Sequence, residues 1–130
     1  MPTKLNETYR KAAQEFADRA VSALKDNIDS IVLYGSVARS EAREDSDIDI
    51  LVVSPEFNIH IYDRLNCVRN EFTYENGYAF LVTLVHYSRS EFIELFELGA
   101  PFISEILCDG VTLYDNGVFS GIHKKAARVR

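Results

Sequence analysis

Two short motifs near the middle of the chain carry residue types that bind phosphate and metal ions. Gly35 and Ser36 follow one apolar segment, and after ten intervening residues Asp47 and Asp49 open another. Glycine lets the backbone turn sharply against a ligand, serine adds a hydroxyl donor, and the free amides that open a helix suit an anion. On a strand, the two aspartates share one face about 7 Å apart, a carboxylate pair suited to Mg²⁺ together with substrate phosphates.

Each motif taken alone has a common structural explanation. A Gly-Ser pair at the end of a strand is usually a turn with a helix cap, and an Asp-x-Asp sequence is usually a solvated strand end. The combination is more specific if the fold places the two motifs side by side. The elements around the motifs therefore decide whether they form one site.

Hydrophobic spacing predicts alternating helices and strands. The apolar run at 78–86 is nearly continuous, so we expect a central strand covered on both faces. The first two strands are joined by only twelve residues, 35–46, which favours an antiparallel pair. The order predicts an α/β protein with a single mixed sheet flanked by helices. The predicted helices cover 6–26, 37–44, 61–72, 88–96 and 102–107, and the predicted strands cover 28–34, 47–53, 78–86 and 111–114.

The residues that join the two motifs resemble a known family. Residues 33–53 read LYGSVARSEAREDSDIDILVV, which is similar to the nucleotidyltransferase superfamily that includes DNA polymerase beta. The similarity is greatest to its minimal bacterial and archaeal members, and Ser40 stands where glycine is common. The resemblance implies a polymerase beta-like nucleotidyltransferase fold that extends, by element order, to about Tyr114.

The resemblance also implies an activity. Such proteins transfer a nucleoside monophosphate from a nucleoside triphosphate, here ATP above all, to an acceptor hydroxyl and release pyrophosphate. It implies that Asp47 and Asp49 are catalytic ligands for Mg²⁺. Gly35 and Ser36 are then expected to hold the triphosphate, and Arg39 to contact its phosphates. Arg43, one helical turn further on, either faces the phosphates as well or pairs with a neighbouring acid on a solvated surface.

One carboxylate of the family pattern is missing. Family members usually carry a third acidic residue on the strand after the third helix, and the register places Thr83 there. A threonine hydroxyl is a weak neutral ligand and cannot act as a general base near pH 7. His86 could serve as a base, although a lone histidine at a strand end is more often a packed or surface residue. Glu71 or Glu75 could also reach the site from the end of the preceding helix or its loop, or the acceptor could supply the group.

The sequence leaves two functions open. One is an active Mg²⁺-dependent nucleotidyltransferase. The other is a catalytically weak or inactive module that binds a nucleotide or a partner, such as the antitoxin of a HEPN-type toxin–antitoxin pair, which the resemblance implies for small members. The expected partner is a helical HEPN-type protein or a second copy of the chain. Five apolar residues could form such an interface, but their helical spacing favours the core: Phe92, Phe96, Phe102, Ile103 and Ile106.

Charge and length exclude other classes of protein. The 130 residues include 14 basic and 20 acidic side chains, a formal charge of −6, which has the wrong sign for an extensive nucleic-acid surface. No apolar run approaches the roughly 18 residues of a membrane span, so we expect a cytoplasmic protein without membrane contact.

The length predicts one domain, residues 1–118, followed by a basic tail, residues 119–130. We expect this tail to be solvated and assign no role to it. Cys67 and Cys108 lie in apolar patterns and are expected to be buried thiols, with a disulfide as the less favoured alternative. The basic residues of the tail are Lys124, Lys125, Arg128 and Arg130.

Overall fold

The computed structural model describes residues 4–129. Each predicted element has a counterpart, and one helix at the end of the chain is additional. The helices are α1 (Lys4–Leu24), α2 (Gly35–Ala38), α3 (Ile59–Glu75), α4 (Arg89–Glu97), α5 (Pro101–Asp109) and α6 (Val118–Val129), with a 3-10 turn at Lys25–Asn27. The strands are β1 (Ser30–Tyr34), β2 (Ile48–Ser54), β3 (Val82–Ser88) and β4 (Val111–Asp115).

The four strands form one mixed sheet in the order β3-β2-β1-β4. β1 pairs antiparallel with β2 and β4, whereas β2 and β3 are parallel. The antiparallel pairing predicted for the first two strands is confirmed. The prediction of a central strand at 78–86 is wrong, because β3 lies at the edge of the sheet. Its two faces still contact helices, through Leu84 on one side and Val85 on the other, which explains the continuous apolar pattern.

Helices cover both faces of the sheet. On one face α1 and α3 bury Phe16 and Phe72 against Ile50 of β2. On the other face α4, α5 and α6 pack against Val32 and Leu51. Helical spacing correctly favoured the core over an interface: Phe92, Ile103 and Ile106 are buried there, and Phe96 and Phe102 are partly buried beside them.

The basic end of the chain forms a helix, α6. The expectation of a solvated tail is wrong for the apolar face of this helix, which is buried. Phe119 and Ile122 of α6 are buried in the second cluster. Their three-residue spacing places both side chains on one helical face, which packs against α4. The boundary drawn at residue 118 thus falls at the first residue of a helix that packs on the domain. Lys124, Lys125 and Arg128 are exposed, and Arg130 lies outside the described residues.

Both cysteines are exposed, which corrects the prediction of buried thiols. Cys67 precedes the buried Val68, and Cys108 follows the buried Leu107. One residue corresponds to a rotation of about 100° around a helix, and this carries each sulfur out of the apolar face.

Candidate functional site

The antiparallel pairing of β1 and β2 brings the two motifs together. Tyr34, the last residue of β1, is paired with Asp49. Gly35 follows with a φ of +77°, and a β-carbon at this position would overlap Oδ2 of Asp49. Only glycine therefore satisfies both the left-handed backbone and the close approach of the carboxylate.

The aspartate pair stands at the start of β2. Asp47 is exposed one residue before the strand, and Asp49 is partly buried within it, on the same side of the chain. Burial raises the pKa of Asp49, and the neighbouring charge of Asp47 raises it further, while Arg39 partly offsets both effects. Two carboxylates that repel each other in this way favour a cation between them.

The segment between the motifs is less helical than predicted. The helix expected at 37–44 is a single turn, α2, because the backbone beyond it is held by α1. The Asn6 amide donates to the Ser40 carbonyl (2.9 Å) and accepts from the Ala42 N–H (2.8 Å). The Arg10 guanidinium donates to the Ala38 carbonyl (2.7 Å). These contacts fix the loop, and sequence reasoning missed both α1 residues; the only signal was Asn6 within an apolar helical face.

The other predicted phosphate contacts also lie at this loop. The Ser36 hydroxyl makes no hydrogen bond to any residue of 4–129, so it is free to meet a ligand. Arg39 follows α2, where Nε donates to Glu41 (2.9 Å) and Nη1 approaches Glu105 of α5 at 3.5 Å. Arg43 is exposed, and its side chain forms no ion pair within the described part of the chain.

Thr83 lies on β3 beside Asp49. The parallel register pairs Thr83 with Asp49, so both side chains point to the same side of the sheet, and Thr83 is exposed. Among residues 4–129, no three histidine, cysteine, aspartate or glutamate side chains are arranged to hold a metal ion. The donor set is therefore two carboxylates, which fits a cation completed by phosphate and water oxygens.

The three substitutes considered for a third carboxylate lie elsewhere. His86 is paired with Val52 and points to the opposite side of the sheet from Thr83. Its Nε2 donates to Ser54 Oγ (2.7 Å), since that hydroxyl donates to the Glu56 carbonyl (2.7 Å). Glu71 and Glu75 line a groove between α1 and α3, where Glu75 forms an ion pair with Arg19.

Tyr34 and α5 form one wall of the site, which sequence reasoning did not identify. The Tyr34 ring packs edge-on against Phe102, with centroids 5.2 Å apart. Burial, followed by the charges of Asp49 and its neighbours, raises the pKa of Tyr34 to about 12, so its phenol stays neutral. Glu105, one turn after Phe102, contributes to the negative charge that Asp49 experiences.

Comparison with known families identifies this arrangement. The model of the nucleotidyltransferase domain matches residues 13–107, which include both motifs and strands β1 to β3. The chain belongs to the nucleotidyltransferase domain family. Proteins of this family generally work with a divalent metal ion.

Two similar proteins come from Methanocaldococcus jannaschii, and both are provisionally named protein adenylyltransferases. One is 27% identical over 98 residues, which cover 75% of this nucleotidyltransferase and 91% of the relative. The other is 31% identical over 113 residues, which cover 85% of this chain and 66% of the relative.

Solved structures share the fold. A toxin–antitoxin structure with AMP-PNP aligns with a TM-score of 0.55 and 16% identity, over 89% of this nucleotidyltransferase and 85% of that chain. A complex of the tri-AMPylated Shewanella oneidensis HEPN toxin with its MNT antitoxin aligns with a TM-score of 0.54 and 13% identity, over 93% and 85%. The mixed sheet flanked by helices is thus the nucleotidyltransferase fold. Within residues 4–129, no helix has the length and apolar character of a transmembrane segment.

Proposed function

We propose that this protein is a Mg²⁺-dependent adenylyltransferase that moves AMP from ATP to a hydroxyl of a protein acceptor. The observation that carries the proposal is the contact between the two motifs, in which Gly35 admits the Asp49 carboxylate against the backbone. This contact places the Gly35-Ser36 loop beside the aspartate pair. The provisional naming of both archaeal relatives as protein adenylyltransferases supports a protein acceptor.

Each site residue has a distinct role in this proposal. Gly35 and Ser36 hold the triphosphate through the backbone and the free hydroxyl, and Arg39 neutralises its charge. The acceptor oxygen forms a bond to the α-phosphorus while the bond from that phosphorus to the bridging β-oxygen breaks. Pyrophosphate leaves with the bonding electrons, and the hydroxyl proton passes to water. Arg39 releases Glu41 and Glu105 when it turns to the phosphates.

The aspartates define the place of the cation. Asp47 and Asp49 would hold Mg²⁺ together with triphosphate oxygens, and the ion would neutralise the charge that develops on the reacting phosphate. Because Arg39 relieves their mutual repulsion only in part, we expect cation and nucleotide to bind together. Affinity for either alone is then expected to be low.

A helical HEPN-type protein is the proposed acceptor and partner. The solved complex that contains a tri-AMPylated HEPN toxin supports this choice, because the chain aligned from that complex has the same fold as this protein. A location in the cytoplasm is part of the proposal. A gene for a small helical protein beside the gene for this protein would strengthen its assignment as an antitoxin.

One observation favours a second candidate function. Thr83 pairs with Asp49 where a third carboxylate is usual, and no described side chain replaces it. Without a base, the chemistry slows by the 10²–10⁴-fold that general base catalysis typically contributes. The protein would then act by binding nucleotide and partner.

Label transfer from α-labelled ATP distinguishes the two functions. Cell lysate from the source organism is incubated with the protein and Mg²⁺ or Mn²⁺, with GTP, CTP and UTP in parallel. The Asp47→Ala/Asp49→Ala protein is the control. Label that only the wild type incorporates supports the enzyme, whereas Mg²⁺-dependent binding of ATP without transfer supports the binding module. Loss of both transfer and binding overturns the proposal.

A further inference from the structure

Three exposed apolar side chains stand in the segment that leads into β3, and the last of them, Leu81, lies beside the aspartate pair. The carbonyl of Leu81 accepts a hydrogen bond from the Ile48 N–H (2.8 Å), so the parallel register continues and sets Leu81 next to Asp47. Leu81 is 54% exposed, Tyr78 is 66% exposed and Tyr74 is 72% exposed. We call Tyr74, Tyr78 and Leu81 the β3 entry surface.

The β3 entry surface lies across β2 from the phosphate loop. Gly35 contacts β2 from the β1 side, whereas Leu81 contacts it from the β3 side. In an in-line displacement the attacking and leaving oxygens lie on opposite sides of the phosphorus. With the triphosphate at Gly35 and Ser36, the acceptor hydroxyl must therefore approach from the β3 side. The outer edge of β3 pairs with no strand in the described part of the chain, so this approach is open.

The stability of the fold does not account for Tyr78. Its φ is +63°, a left-handed conformation that a bulky side chain rarely adopts, and its ring lies mostly in solvent. The ring meets Tyr74 edge-on at a centroid distance of 6.4 Å. The loop itself is anchored, because the neighbouring Phe80 packs edge-on against Tyr9 of α1 (5.3 Å). The chain thus holds an aromatic side chain outward at a fixed place.

The charge around the site selects the class of acceptor. Residues 39–49 contain five acidic side chains and two arginines, a formal charge of −3, which Arg10 of α1, bonded to the Ala38 carbonyl, reduces to −2. Arg39 is already paired with acidic residues of the chain. A nucleic acid brings phosphates into this acidic surrounding and is repelled, whereas a polypeptide with basic residues is attracted.

We propose that the β3 entry surface binds the acceptor, a polypeptide segment in which apolar and basic residues flank the hydroxyl side chain. The apolar residues would cover Tyr78 and Leu81, and the basic residues would face the acidic loop. This inference rests on the proposed function, because the direction of approach follows from the triphosphate at Gly35 and Ser36.

Three single variants test the inference. Leu81→Ser and Tyr78→Asn remove the apolar surface, and asparagine tolerates the left-handed backbone. Ile59→Ser is the matched control, since Ile59 is 57% exposed at the first residue of α3, which follows the end of β2 opposite to the motifs. Each protein is assayed for label transfer from α-labelled ATP into lysate at limiting lysate concentration. Labelled material is then digested with protease or nuclease, and binding of AMP-PNP with Mg²⁺ is measured by calorimetry.

We expect Leu81→Ser and Tyr78→Asn to lower transfer into protein about tenfold, a loss typical of a buried contact residue. AMP-PNP affinity should be unchanged, and Ile59→Ser should behave as the wild type. Equal transfer by all variants overturns the inference and leaves the proposed function standing.

Weaker AMP-PNP binding would instead place the nucleotide base on this surface, and nuclease-sensitive label would overturn the polypeptide acceptor. A wild-type dimer that Leu81→Ser converts to a monomer, measured by light scattering, would assign the surface to self-association. Absence of any transfer by the wild type overturns the proposed function and this inference with it.

Discussion

A carboxylate lies at each end of β1, and the surroundings of the two differ. Asp29 lies just before the strand and is fully buried, with hydrogen bonds from Arg89 (2.8 and 2.9 Å) and Asn116 (2.8 Å). Asp49 lies beside the last residue, roughly 17 Å away for a five-residue strand. No donor from the described residues bonds its carboxylate, and the largest charge effect on its pKa comes from the like-charged Asp47.

The difference separates a structural carboxylate from one available for a ligand. Burial alone would raise the pKa of Asp29, but the hydrogen bonds from Arg89 and Asn116 hold it below its usual value. Burial and Asp47 raise the pKa of Asp49. Folding therefore stabilises the ionised form of Asp29 and destabilises that of Asp49. A site that needs a cation is left incomplete by the fold and is completed by the ligand.

The largest effect expected is on activity at the Asp49 end. Asp49→Asn removes one of two proposed metal ligands, and we expect transfer to fall by roughly 10²–10³-fold or more. Asp29→Asn should leave the rate of the folded protein near that of the wild type. Initial rates of label transfer below the melting temperature check both variants. Similar losses in the two variants would contradict the division of roles.

Gly35→Ala tests the contact between the motifs. The added methyl group must displace the Asp49 carboxylate, so we expect a loss of transfer of roughly 10²-fold in addition to a backbone cost of about 1–2 kcal/mol. Gly99→Ala is the matched control, because Gly99 also has a left-handed backbone (φ +71°) but no atom near its β-carbon position. It should lose similar stability and retain activity, as measured by urea unfolding and label transfer. Retained activity in Gly35→Ala would show that the contact is dispensable.

At the other end, Asp29→Asn should lower the free energy of unfolding by about 2–3 kcal/mol. A broken buried pair costs more than this when both partners are buried, but Arg89 is 46% exposed and can turn to solvent. Arg89→Met, which removes the charge but keeps the stem, would leave Asp29 buried with only Asn116 as a donor. Arg89→Met should therefore lower the free energy of unfolding at least as much as Asp29→Asn does. Urea unfolding at pH 7 measures both, and a loss below about 0.5 kcal/mol in each would contradict the structural role.

The smallest expected effect is a difference in sign between the two ends of β1. Asp49→Asn should raise the free energy of unfolding, whereas Asp29→Asn should lower it. Asp49→Asn removes a carboxylate that is disfavoured in the folded state, so it should raise the free energy of unfolding by about 0.5–1 kcal/mol at pH 7. The pKa of Asp49 is raised on folding, so this gain exists only where the carboxylate is ionised and should vanish below pH 3.8. The pKa of Asp29 is lowered, so the loss in Asp29→Asn should also shrink as the pH falls through the folded value. Urea unfolding from pH 7 to pH 3 measures both trends, and equal signs at pH 7 would refute the comparison.

Much of the site could be predicted from local sequence because its parts are close along the chain. The short connection between Gly35 and Asp49 favoured an antiparallel pair, and the period of two placed Asp47 and Asp49 on one face. The register confirms the first of these expectations and pairs Thr83 with Asp49 as predicted. The roles of these residues in binding and catalysis remain predictions for the experiments above.

Other features required the tertiary structure because they depend on residues far apart in sequence. The amide of Asn6 reaches Ser40 and so limits α2 to one turn, although residues 37–44 favour a helix by composition. Composition also led to the wrong prediction of a solvated tail at the end of the chain, because residues 118–129 form a helix that has an apolar face as well as basic residues. A pattern of charges does not show which neighbour covers the other side of a helix.

The sequence by itself determined the order of elements, the sheet with its first antiparallel pair, and the two motifs, because each depends on spacing within a few tens of residues. Only the tertiary structure decided that β3 is an edge strand, that Glu71, Glu75 and His86 lie away from the aspartates, and that Asp29 is paired while Asp49 is not. Hydrogen bonds such as those from Arg89 to Asp29 join residues 60 positions apart. Their free energy depends on the burial and geometry that the whole fold creates.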